Sequence, residues 1–181
     1  IEAVHRIWVA QTLGLCHNNG ELGIDLRDPE RSFAIELKSK LRFVQGRKQN
    51  TFTVHERQRV NYEQDYDEWE LYWAFLRYGL STPIKSIAPY STTDDLEELV
   101  GEREVWIVPW DFVEDNFDIS HAGSGTLYRY PHQRVIDSLS YTSYTVPKGI
   151  IHLPTGYTRL EDRVFPGIQH SINTAFRIAE E

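Results

Sequence analysis

The chain has 181 residues, 40% hydrophobic and 25% charged, with a net charge of −8, a length that suits one domain burying about two-thirds of its unfolded surface. No apolar run approaches the roughly 20 residues that a bilayer crossing needs, and no signal-like n-region and h-region opens the chain, so no membrane partner is expected. The one cysteine, Cys16, excludes an intramolecular disulfide and a cysteine-rich zinc site and fits a reducing, cytoplasmic compartment.

The chain opens on Ile1 and contains no methionine, so its natural N-terminus is expected upstream. Val4, Ile7, Trp8, Leu13 and Leu15 recur at helical spacing, which predicts an amphipathic helix over Glu2–Leu15, stopped by Asn18-Asn19-Gly20. Gly23–Arg27 alternates and reads as a strand. Asp28-Pro29-Glu30-Arg31 is a turn, and Phe33–Leu41, "FAIELKSKL", is the hairpin partner. Arg47–Asn50 reads as a polar loop and Val54–Tyr66 as a helix. The aromatic run Leu71–Tyr78 reads as a buried central strand. Pro83–Ala88 is expected as the next strand, and Ser91-Thr92-Thr93 as the N-cap of a short helix. Glu104–Val113 is expected as a strand with an edge or bulge at Pro109. Beyond Asp118 turns dominate, ending in an amphipathic helix over Ile168–Ala179. The fold class this predicts is α+β, a central mixed β-sheet with flanking helices.

The charge is unevenly spread. Basic residues concentrate between Arg27 and Arg59, including Lys38, Lys40, Arg42 and Arg57, while acids gather in 63–70, 94–104 and 111–118. One basic segment on an acidic protein fits a nucleic-acid partner. Just upstream of that segment Ile24 and Leu26 flank Asp25, and within it Ile35 and Leu37 flank Glu36. Both carboxylates therefore leave the apolar face of their strands, with Lys38 two residues on from Glu36. Two readings follow. One is a solvated, ion-paired sheet face. The other is a Mg²⁺ site built from Asp25, Glu36 and the Leu37 carbonyl, with Lys38 offsetting charge at a phosphate under attack.

The order of Asp, a gap, then Glu-x-Lys resembles the PD-(D/E)xK nuclease superfamily. "AQTLGLCHNNGELGIDL", "AIELKS", "FTVHERQRVNYEQ" and "WELYWAFLRYG" resemble the PvuII-type restriction endonucleases in order and spacing, over roughly residues 6 to 113. Ile24 stands where the superfamily's proline would precede the aspartate. The resemblance implies a restriction-endonuclease-like core in which Asp25 and Glu36 bind the metal and Lys38 is the catalytic lysine. It places His55 where the family contacts bases. It implies a homodimer on palindromic duplex DNA and one nuclease domain over 1–181. In that division 1–118 is the catalytic core and 119–181 a DNA-contacting or dimerisation extension.

Further candidates for DNA contact are Lys40, Arg42 and Arg57 from the basic segment. Arg129, His132 and Arg134 join them from the acid-free stretch Tyr128–Arg134, which reads equally as an ordinary surface turn. Two other readings stay open: a structure-selective nuclease such as a junction resolvase, and a non-catalytic DNA-binding module of the same fold.

Overall fold

The computed structural model describes residues 1–17, 23–28, 30, 33–44, 47–48, 51–89, 91–122, 125–129 and 140–180. Its elements in chain order begin with α1 (Glu2–Leu13), β1 (Cys16–His17), β2 (Leu26–Asp28), β3 (Phe33–Leu41), β4 (Phe43–Val44), β5 (Arg47–Lys48) and β6 (Thr53–His55). Then come α2 (Glu56–Asp65), β7 (Glu70–Leu80), α3 (Thr93–Leu99), β8 (Val100–Pro109) and α4 (Trp110–Asn116). The chain closes with β9 (Asp118–Ala122), β10 (Gly125–Arg129), β11 (Tyr141–Val146), β12 (Gly149–Pro154) and α5 (Thr158–Glu180). Among the described residues, no helix is long and apolar enough to cross a membrane.

The fold is α+β, built on a mixed seven-stranded sheet in the order β1-β2-β3-β7-β8-β12-β11. The alternating β3 pairs antiparallel with β2 and parallel with β7, from Phe33↔Glu70 to Leu41↔Tyr78. Strand β7 then pairs antiparallel with β8, and β8 parallel with β12. With a strand on each side, β7 is buried on both faces from Tyr72 to Tyr78, which is why its sequence runs almost continuously apolar.

Period-two alternation divides the core in two. One sheet face presents Ile35, Leu37, Ala74, Leu76, Val105, Ile107, Ile151 and Leu153 to α1 and α5. The other presents Trp73, Phe75, Trp106 and Val108, covered by Phe52, Val54, Phe112, Val113 and Phe117. Glu36, Lys38 and Lys40 share this second face, because Glu36 lies beside Trp73 and Lys38 beside Phe75.

Several expectations are corrected. Pro83–Ala88 is not a strand: a 3-10 turn occupies Ile84–Ser86, Ser86 N–H donating to the Pro83 carbonyl, and Ile84 is exposed. Pro83 and Pro89 have no N–H for a ladder, so the segment stays outside the sheet. The strand expected over Glu104–Val113 starts earlier, at Val100, and stops at Pro109, whose fixed φ sets up α4 instead of an edge or bulge. The helix expected from Val54 begins at Glu56. Thr53–His55 is a strand with Val54 buried between exposed neighbours, paired to β10. Arg47 and Lys48, expected in a loop, pair with β4.

After residue 118 the chain is more regular than its turn residues suggest. Strands β11 and β12 complete the central sheet, and β9 and β10 form a three-stranded sheet with β6. The final helix starts ten residues before Ile168 and runs through Pro166. Gly167 permits this path: a Cβ there would come within 2.1 Å of the Leu13 carbonyl oxygen of α1.

A half-buried ion pair sits under the α1 face. Arg103 is fully buried, forks onto both oxygens of Glu97, and lies 5.1 Å from the Trp8 ring centroid. His5 Nδ1 accepts from Arg103 Nε at 3.4 Å. Burial, reinforced by the Arg103 charge, pushes the His5 imidazole down to about 3 and keeps it neutral.

Candidate active site

The β2–β3 hairpin places the carboxylates. Leu26 lies opposite Ile35, and continuing that register sets Asp25 against Glu36. Asp25 precedes β2, so no strand partner there takes the N–H of Leu37. The Asp25 side chain takes it instead, Oδ2 accepting at 2.9 Å. The next N–H upstream, that of Ile24, donates to the Tyr66 hydroxyl at 3.4 Å. Since N–H and C=O of an extended residue face the same strand edge, the Leu37 carbonyl turns toward Asp25.

Glu36 is 5% exposed. Its Oε1 accepts from Lys38 Nζ at 2.8 Å and from Gln58 Nε2 at 2.7 Å. Its Oε2 is buried with no hydrogen-bond partner. Burial pushes this carboxyl up to about 7, and the Asp25 charge adds to the rise against the pull of Lys38. A carboxylate raised by desolvation and a like-charged neighbour is common where function sets the arrangement. Arg6 of α1 approaches from the other side, Nε lying 3.6 Å from Asp25 Oδ1.

Helix α2 supplies two groups that the sequence reading did not single out as part of the site. Gln58 bridges Glu36 and the Tyr62 hydroxyl, the latter at 2.9 Å. Tyr62 packs on Trp73 with ring centroids 6.2 Å apart. Burial, with the nearby Glu36 and Asp25 charges, raises its phenol to about 12, so it stays a neutral hydroxyl. The available signal was the i,i+4 spacing of Gln58 and Tyr62, which puts them on one helix face.

The other sequence candidates are dispersed. Lys40 donates to the Thr51 carbonyl. Arg42 pairs with Glu104 at 3.1 Å, and Arg77 and His152 bind the same carboxylate. Those partners occupy both cations within the fold. His55 and Arg57 are exposed at the start of α2. Arg129 lies in β10, while His132 and Arg134 lie outside the described residues.

Asp25, Glu36 and the Leu37 carbonyl offer hard oxygen ligands, and the unpartnered buried Glu36 Oε2 is the kind of atom a cation would satisfy. Among the described residues no three His, Cys, Asp or Glu side chains gather as a metal cluster. A cation here would draw its remaining ligands from water and substrate, as Mg²⁺ commonly does. No family model, curated protein or solved structure matches this chain.

Proposed function

We propose that this chain is a Mg²⁺-dependent DNA endonuclease. It hydrolyses phosphodiester bonds in duplex DNA at a specific sequence, as a homodimer of the restriction type working in the cytoplasm. The observation that carries the reading is the buried, unpartnered oxygen of Glu36 next to Asp25, with the Lys38 ammonium 2.8 Å from the other oxygen. Two carboxylates crowded at this depth repel each other and need compensating cations. Desolvation also strengthens any field they exert on a substrate.

Asp25, Glu36 and the Leu37 carbonyl would hold the metal. When bound, Mg²⁺ supplies Lewis acidity at a phosphate oxygen and an acidified water. Lys38 orients the attacking water and offsets the negative charge that builds on the phosphorus oxygens during attack. Gln58 keeps Glu36 in one rotamer by donating to Oε1, leaving Oε2 as the oxygen that would bind a cation. Arg6 holds Asp25 in place from α1. Tyr62 supports Gln58 and closes the site against Trp73.

Supercoiled plasmid and linear duplex, incubated in Mg²⁺ and in EDTA beside Lys38→Ala, test the proposal. Discrete fragments that need Mg²⁺ and vanish in the variant are expected. A smear would remove sequence specificity but keep the nuclease. No cleavage of duplex or branched DNA, with DNA still bound, would overturn the enzyme and leave a binding module.

A further inference from the structure

Helix α2 is divided into faces of different chemistry. Gln58 and Tyr62 face the carboxylate site. On another side the charges cancel locally: Arg59 binds Glu63 at 2.8 Å and lies 3.9 Å from Glu56. Between these faces run Arg57, Asn61 and Asp65, spaced i, i+4, i+8 and all exposed. Among the described residues, none of these three has a side-chain hydrogen bond or ion pair. At 3.6 residues per turn this stripe drifts toward the Gln58–Tyr62 face as it climbs. A cleft of about 510 Å³ is lined by Arg57, Asn61 and Asp65 together with Gln58 and Tyr62. The cleft therefore joins the stripe to the two groups that support Glu36.

The mixture of groups identifies the ligand. A surface that tracks phosphates needs cations, and a carboxylate such as Asp65 opposes that task. Base edges are different. Arg pairs with the O6 and N7 of guanine, Asn with the N6 and N7 of adenine, and Asp accepts from the N4 of cytosine. A cation, an amide and a carboxylate in line on one exposed helix form a set for reading bases, next to a site proposed to cut the backbone.

We propose that the Arg57–Asn61–Asp65 stripe of α2 is the base-reading surface of this site, hydrogen-bonding to base edges of the duplex beside the cut phosphate. The proposal rests on the nuclease reading for its geometry, but its test does not depend on catalysis. A random-sequence duplex library is selected for binding in EDTA by the wild type and by Arg57→Ala, Asn61→Ala and Asp65→Ala. The same library is then cut in Mg²⁺ and the ends sequenced. All three side chains are exposed, so melting curves should match the wild type and serve as the folding control.

The expected result is a wild-type motif that each variant relaxes at one position, discrimination there falling about 5- to 150-fold, as for loss of one good base contact. A motif that relaxes in this way in EDTA, without any Mg²⁺-dependent ends, would sustain the stripe while overturning the nuclease reading. An unchanged motif in all three variants overturns the stripe. So does uniform weakening on every sequence, and so does a wild type with no motif.

Discussion

Replacing Glu36 by Gln should stabilise the protein while abolishing the proposed activity. The carboxyl is 5% exposed and pushed up to about 7 from an ordinary 4.5, first by burial and then by Asp25. In this case the native state binds the proton more tightly than the unfolded chain. The native state is therefore unpenalised below about pH 4.5 and loses stability as pH rises to about 7. At 1.36 kcal/mol per pKa unit, keeping the ionised carboxylate buried costs about 3 kcal/mol at pH 8. A glutamine has nearly the same shape and no charge, can accept from Lys38 and can donate to Asp25. Glu36→Gln should recover much of that cost, raising Tm by roughly 4–10 °C for a chain of this size. Urea unfolding of both proteins at pH 5, 6, 7 and 8 in EDTA measures it. The two curves should nearly meet at pH 5 and separate towards pH 8. Parallel pH profiles, or a variant less stable at pH 8, would refute the argument that a desolvated charge sits at this position.

Gln58→Ala removes the amide that donates to Glu36, a bond to a charged group that is typically worth about 1.5–3 kcal/mol. Without metal the Glu36 carboxyl should rise further, so the stability lost between pH 5 and 8, read by urea midpoint in EDTA, should grow; an unchanged loss would deny Gln58 its positioning role. Gly167→Ala drives a methyl into the Leu13 carbonyl, so α1 and α5 must separate. About 1–3 kcal/mol of lost stability is expected from such overpacking, read by urea midpoint. Glu70 is bound by Arg163, Arg159 and Tyr72, which hold its carboxyl down at about 2. Its stabilising effect is present above about pH 4.5 and fades as pH falls towards 2. The Tm gap between wild type and Glu70→Gln should therefore be widest near neutrality and close by pH 2.

Local chemistry alone predicted much of this molecule. Phe33–Leu41 alternates strictly and forms β3 over those residues. Leu71–Tyr78 is apolar and aromatic but for Arg77, because both faces of β7 are covered. Thr92 caps α3 through a reciprocal pair with Asp95, as its position before two acids implied. The juxtaposition of Asp25 and Glu36 was also legible, since a short hairpin and period-two alternation leave one register that buries Ile24, Leu26, Ile35 and Leu37 together. Tertiary structure decided the rest. The helix expected over Ile168–Ala179 starts at Thr158 instead and takes in Pro166 and Gly167, where the close approach of Leu13 makes glycine the residue that fits. Lys40 and Arg42 were expected as candidates for DNA contact; that Lys40 donates to the Thr51 carbonyl and that Arg42 meets Glu104 from 62 residues away depends on the tertiary fold. Gln58 reaches Glu36 across 22 residues, a contact set by how α2 lies over the sheet. Periodicity specifies which face a side chain leaves from. Which group it meets there depends on strand order and helix docking, and those are settled by the packing of the whole sheet.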